Sequence, residues 1–414
     1  MKGDLLESRQ GSLLTPLLRW FLSAGFLAGL SGRMYGFLLP LYLTQLGADV
    51  AQVGLVFTMS SVVPLVLPIF GGWISDSIGR LRAIAVGSLG GVLGLATMVL
   101  APSWEWMILA LSLSGFASAL VDPSTFAFIS EQTAEENRGK VYSILASVTQ
   151  VLNVIAYPLG GFLAGGISFR FMLLIAGIFQ ALATVLYLGL AITVRHTTEA
   201  APLRLTLPSL RKNLGVVIGM IFAGGLFTWL FVIDHINDIF TYVSESYGPL
   251  YMQEIGGLTI QQISWIPPIG GIIGMIFTVP LGYLSDKYGE NVNMTLAAIS
   301  FSISKFILIV ARSFPAYALC AVAHGMAQAF GGPAYPSLVS KAVPEEKRGI
   351  AFGLTSTSRA LLSLPSPWIG GQLWERSSPA TPFVVTAVAY MGLSMLAWFK
   401  LRLPRSGREK SAAV

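Results

Sequence analysis

The sequence is written as long apolar stretches separated by short charged or glycine-rich segments, and that alternation governs what it can fold into. Apolar runs occupy 20–46, 53–74, 83–101, 107–128, 141–165 and 171–194, and six more occupy 214–236, 263–284, 294–311, 316–338, 350–373 and 382–399. A helix needs about 20 such residues to cross a hydrocarbon layer roughly 30 Å thick. A lipid-exposed segment must satisfy its backbone internally, so runs of this kind become helices. Only 11% of the 414 residues are charged, against about 25% in soluble chains. The expected fold is an all-α membrane protein with twelve transmembrane helices and no sizeable soluble domain. The first run is too long for the apolar core of a cleavable signal and no small-residue cleavage site follows it, so it reads as span 1.

Lysine and arginine in short loops mark the cytoplasmic side. An inside amino terminus places most of the 26 basic residues in cytoplasmic loops and tails, with Arg170, Arg312 and Arg376 outside and Arg33, Lys305 and Arg359 within spans. Both termini are then cytoplasmic, and the expected location is the plasma membrane, the inner membrane of a bacterial cell. The net charge of +6 is thereby a topology signal rather than the clustered basic face that nucleic-acid binding requires. Cys320, the single cysteine, cannot form a disulfide framework or a thiolate metal site.

The two halves share residues at a constant offset. Gly72, Asp76 and Gly79 recur 210 positions later as Gly282, Asp286 and Gly289. Pro123, Arg138, Gly139, Gly160 and Gly161 recur at the same spacing as Pro333, Arg348, Gly349, Gly370 and Gly371. Pro40-Leu41-Tyr42 recurs as Pro249-Leu250-Tyr251 at an offset of 209. With six spans per half, this is a parallel repeat: a six-helix bundle at 1–194, a cytoplasmic linker at 195–213 and a second, pseudo-symmetric six-helix bundle at 214–414. Such a pair can alternate access to a site between its halves.

The loop Gly72-Trp73-Ile74-Ser75-Asp76-Ser77-Ile78-Gly79-Arg80-Leu81-Arg82, with its degenerate copy Gly282-Tyr283-Leu284-Ser285-Asp286-Lys287-Tyr288-Gly289, resembles the signature loop of the major facilitator superfamily. The resemblance covers nearly the whole chain and is closest to the twelve-span antiporters that exchange drugs or metabolites for protons. It implies that Asp76 and Asp286 latch helix ends near Ile350 and Val141. A carboxylate at a helix amino terminus is worth roughly 0.3 to 1 kcal/mol when exposed and about 2 when partly buried. It also implies gating roles for Arg80, Arg82, Arg138 and Arg348, whose plainer reading is topology and capping. The sequence departs from the family at Ser77, often basic there, and at Leu111, where many proton-coupled members carry arginine; Pro158-Leu159-Gly160-Gly161 only partly resembles the antiporter motif.

Charges within spans are costly and normally face a cavity or a partner. Arg33, Asp122, His324 and Arg359 fall in spans 1, 4, 10 and 11, which line the central cavity in that superfamily. Arg33 and Asp122 read either as a buried ion pair or as substrate and proton groups, and His324 as a cavity group or a hydrogen-bonded core histidine. Lys305 reads as snorkelling to the outer surface. Span 7 is anomalous, since Lys212 to Pro249 is 37 positions against 21 from Arg19 to Pro40. It reads as a helical extension outside the membrane, the alternative being that part of the apolar run lies at the inner interface and Asp234 and Asp238 enter the cavity. His235 beside them is too little for a metal site.

These features point to a secondary transporter of a small organic solute, with proton-coupled efflux the expected mode and proton-linked uptake of an anionic nutrient the alternative. Arg33 and Arg359 suit an anionic or amphipathic substrate because guanidinium pairs bidentately with carboxylates. A monomer needing no cofactor, with the proton gradient as energy source, is expected. The three scattered histidines, with no Gly-x-Ser-x-Gly elbow and no phosphate-binding loop, argue against an enzyme, and the short tails against a sensor.

Overall fold

The computed structural model describes residues 15–67, 74, 75, 77–193 and 207–402, without the side chains of 207–214, 285, 286 and 346. All regular structure among the described residues is helical. In chain order the helices are α1 (Pro16–Gly36), α2 (Leu39–Gln45), α3 (Val50–Val66), α4 (Arg80–Leu100), α5 (Trp106–Gln132), α6 (Arg138–Gly166), α7 (Phe169–Thr193) and α8 (Leu207–Phe222). They continue as α9 (Leu226–Glu245), α10 (Gly248–Glu254), α11 (Ile260–Tyr288), α12 (Glu290–Val310), α13 (Phe314–Ala342), α14 (Arg348–Ser363), α15 (Ser366–Arg376) and α16 (Thr381–Lys400).

Length and apolarity alone qualify seven of these as crossing helices: α4, α5, α6 with the turn before it, α7, α11, α12 and α16. The helices below that standard are informative. Among them, α1 carries Arg33, α13 carries His324 and Gln328, and α14 and α15 are separated at Pro365. Polar residues and breaks thus keep part of the fold from a test of length and hydropathy.

The chain divides into two units, Met1–Ala48 with Met59–Ala201, and Asp49–Thr58 with Pro202–Val414. In the first, α4 packs against α5 and α7, and α1 against α6 and α7. In the second, α12 packs against α13 and α16, and α9 against α14, α15 and α16, the same scheme repeated. The first turns of α3 belong with the second unit, where Ala51 N donates to Glu375 Oε1 at 2.9 Å and Trp368 N donates to Thr58 Oγ1 at 3.2 Å.

The repeated residues make repeated contacts. Gly79 and Gly289 have φ of 94° and 99° and each precedes the first residue of a helix, α4 and α12. That backbone region is closed to most side chains and open to glycine. Tyr42 donates to Met98 O and Tyr251 to Ile309 O, both at 3.0 Å, so each tyrosine bonds a carbonyl in the last turn of α4 or α12. A Cβ on Gly160 would stand 1.9 Å from Met34 O, and one on Gly370 would stand 2.0 Å from Val243 O. The backbones of α6 and α1, and of α15 and α9, touch at these points.

Span 7 corrects the sequence reading. α9 starts 210 positions after α1 and has nearly its length, 20 residues against 21. The surplus positions lie before α9, in α8 and the turn after it, and α8 meets the following helix at an 86° bend across Ala223, Gly224 and Gly225. The excess therefore precedes the crossing helix, and no extension projects beyond it. The surplus was legible in the sequence, but which end of the span it belonged to was not.

Candidate functional site

Each unit holds an open cavity of its own. The cavity of the first unit is about 440 Å³ and is lined by α1, α4, α5, α6 and α7, including Arg33, Tyr35, Ser114, Asp122, Thr149 and Gln180. Arg33 and Asp122 share this wall without an ion pair. Arg33 Nε donates to Asn153 Oδ1 at 2.7 Å and its Nη1 to Gly29 O at 3.3 Å; Asn153 in turn donates to Gln150 Oε1 at 2.9 Å. Asp122 is exposed to the cavity and makes no hydrogen bond or ion pair among the described residues. A neutral amide network rather than a carboxylate holds the arginine, leaving Asp122 open to a solute or a proton.

The cavity of the second unit is larger, about 560 Å³, and its wall carries Asp234, Asp238, Glu245, His324, Gln328 and Tyr335. Asp234 and Asp238 lie one helical turn apart on α9, so both face the same side. Arg359, on α14, is shared between them: its Nε is 3.2 Å from Asp234 Oδ2 and its Nη1 is 3.6 Å from Asp238 Oδ2. The Asp238 contact is longer than a hydrogen bond. Tyr335 donates to Asp234 Oδ2 at 3.0 Å. Asp234 is thus buried with two partners, while Asp238 competes for the same guanidinium.

His235 points elsewhere. Its Nδ1 is 2.6 Å from Phe231 O and its Nε2 is 2.7 Å from Ser358 Oγ. A carbonyl only accepts, which assigns the proton to Nδ1. With both nitrogens engaged, His235 is a strut between α9 and α14, and no cluster able to hold a metal occurs among the described residues.

His324 lines the cavity, its ring 5.1 Å from Phe301 and no side chain bonded to it among the described residues. Lys305 is the second correction. It is 5% exposed and does not snorkel; its Nζ is 3.2 Å from Glu245 Oε2 and 4.8 Å from the Phe301 ring centre. Counting residues from the end of a span gave its depth and missed the inward face on which it lies. Glu245, Gln328 and Tyr335 carried no periodic signal that could have selected them.

The gating candidates are dispersed. Arg80 Nε is 3.1 Å from Glu131 Oε1 and its Nη1 donates to Ser75 Oγ at 3.2 Å; Arg82 and Arg138 are exposed. Arg348 donates to Ser340 O at 2.7 Å and Val343 O at 3.3 Å, capping the end of α13. Gly282 lies in the last turns of α11. Gly72 and Asp76 lie outside the described residues, as does the side chain of Asp286.

A multi-pass helical protein made of two repeated units, each with an open, mostly apolar cavity that has charged residues in its wall, has the form of a solute carrier. The profile of the Major Facilitator Superfamily matches residues 21–367 and 236–414, and the chain belongs to that superfamily. It is similar to the uncharacterized MFS-type transporter YqjV of Bacillus subtilis, 23% identical over 372 residues, 87% of this chain and 88% of that one. It is also similar to the quinolone resistance protein NorA of Staphylococcus aureus, 21% identical over 365 residues, 86% of this chain and 89% of that one. Among solved structures, a variant of the nucleoside transporter NupG gives a TM-score of 0.72 at 17% identity, covering 92% of this chain and 98% of that one. A variant of the peptide transporter POT in complex with alafosfalin gives 0.72 at 15% identity, covering 92% and 93%. The chain is therefore a multi-pass membrane transporter that performs no enzymatic step.

Proposed function

We propose that this transporter exports a small amphipathic organic solute in exchange for protons, from a plasma membrane in which both termini are cytoplasmic. One observation carries the reading: Asp234 and Asp238 line a solute-sized cavity and share Arg359, which stands behind its wall. A proton on Asp234 cancels its claim on Arg359 and frees the guanidinium to pair fully with Asp238, so proton loading changes which charges face the cavity. Asp122 is an open carboxyl in the wall of the first unit's cavity. A relative named for quinolone resistance fits export of organic compounds.

The cavity charges sharpen the solute class. Three carboxylates, Asp234, Asp238 and Glu245, stand against Arg359 and Lys305 in the second unit, which favours a neutral or cationic solute there. The alternative, proton-linked uptake of an anion, rests on Arg33, which has no carboxylate partner among the described residues.

The test is flux in proteoliposomes of purified protein under an imposed pH gradient, with a lipophilic cationic dye and a small organic carboxylate as probes. Asp234→Asn is expected to abolish gradient-driven accumulation of the dye while gradient-free exchange persists, and Asp122→Asn to reduce it at least tenfold. Undiminished uphill flux in Asp234→Asn removes that residue from coupling, and carboxylate rather than dye transport selects the uptake reading.

A further inference from the structure

The surplus helix α8 is unexplained by transport. α9 is the repeat of α1 and has nearly its full length, 20 residues against 21, and α8 turns from it by 86° at a break where Gly224 has φ of +73°. Thr228, in the first turn of α9, donates to Met220 O at 3.1 Å and so occupies a carbonyl that α8 leaves free. That bond ties the two sides of the bend together.

One side of α8 is against the protein. Val217 is fully buried in a cluster with Val343, Ala351 and Leu401, the ends of α13 and α16 and the start of α14, and Met220 and Ile221 pack on the same cluster. α8 therefore runs across the end of the second unit. Its other side is also apolar: Val216, Ile218 and Phe222 are 39%, 44% and 82% exposed. A helix apolar on the face away from the protein, set across the end of a membrane bundle, needs lipid to cover it.

The same rim is basic. Arg211 and Lys212 stand in the first two turns of α8, and no Asp or Glu occurs from residue 200 to 233. Lys400 Nζ lies 4.6 Å from the centre of the Trp229 ring, and Arg402 Cζ lies 5.1 Å and 6.0 Å from the Trp398 and Phe399 rings. Trp398 and Phe399 are 40% and 68% exposed. Aromatic rings mark the headgroup level, and basic clusters beside a crossing helix attract anionic lipid at about 1 kcal/mol per charge.

We infer that α8 lies in the plane of the membrane boundary and that its basic first turns, with Lys400 and Arg402, bind anionic phospholipid headgroups. Two measurements on the full chain test this. In a Cys320→Ser background, single cysteines replacing Gly215, Val216, Ile218, Gly219 and Phe222 are spin-labelled in vesicles, and label depth is read by power saturation. The expected result is a shallow, roughly constant mean depth that oscillates with the helical period. A depth that increases steadily from 215 to 222 makes α8 part of a crossing helix, and full water accessibility at every site removes it from the membrane; either overturns the proposal. The second measurement keeps Cys320. Protein extracted from equimolar phosphatidylglycerol and phosphatidylcholine is compared, by native mass spectrometry of retained lipid, with the variant R211Q/K212Q/K400Q/R402Q. A several-fold loss of phosphatidylglycerol preference is expected, with solute flux confirming that the variant is folded. An unchanged preference in the variant overturns the proposal.

Discussion

Gly160 shows how little freedom a single position has. Its missing Cβ is a point of backbone contact between α6 and α1, and the atom that a methyl group would strike is a main-chain oxygen, which cannot rotate away. Overpacking of this kind typically costs about 1 to 3 kcal/mol, and more where backbone must move. Gly160→Ala is expected to lower the melting temperature of the detergent-purified protein by several degrees. Gly177→Ala, with nothing within 4 Å, is expected to leave it unchanged or slightly raised, since glycine is a poor helix former. Lys305 and Glu245 form a second residue-scale test. Removing one partner of a buried pair strands the other charge, a penalty of about 3 to 5 kcal/mol when both are sealed. The Glu245 side chain is 45% exposed, so a loss nearer 1 to 2 kcal/mol is expected for Glu245→Gln. Lys305→Met combined with Glu245→Gln is expected to recover part of it; additive losses in a denaturation cycle would show the pair to be uncoupled. The glycine was legible because it occurs twice at one spacing. The lysine was misread because sequence distance from a helix end gives depth but not the side of the helix that a residue faces.

At the scale of elements, helices were legible where they are long and apolar, and these include α4, α5, α6, α7, α12 and α16, which line the cavities. Arg33 on α1 and His324 on α13 lower the hydropathy of two further lining helices. The carboxylate pair of α9 was visible as Asp234 and Asp238 one turn apart, but its partner Arg359 is 125 positions from Asp234, and that pairing depends on how α9 and α14 pack. Repetition also has limits at this scale. Arg348 caps the end of α13, whereas its counterpart Arg138 is exposed. Arg348→Ala is accordingly expected to destabilise the protein by about 1 kcal/mol, and Arg138→Ala to change stability little, in parallel thermal denaturation. Equal losses would show that both arginines cap their preceding helices.

For the whole molecule, the repeat was the readable feature, because duplicated motifs need no knowledge of packing. The division of contacts was not readable: Asp49–Thr58 belongs to the second unit although it begins span 2. The proposed orientation rests on the distribution of basic residues, and reporter fusions test it at this scale. A fluorescent protein fused to either terminus is expected to be bright and a periplasm-dependent phosphatase at the same positions to be inactive. Active phosphatase at both ends would invert the topology.

Gly160 and Gly370, 210 positions apart, each sit where one helix backbone rests on another. The chain thus contains its own control experiment. In a saturation library scored for membrane insertion and folding, intolerance should form two narrow troughs at these positions, each confined to one residue type. The depth of one trough against the other would measure how far the two copies have diverged in the strain that they can absorb, a comparison that needs no second protein.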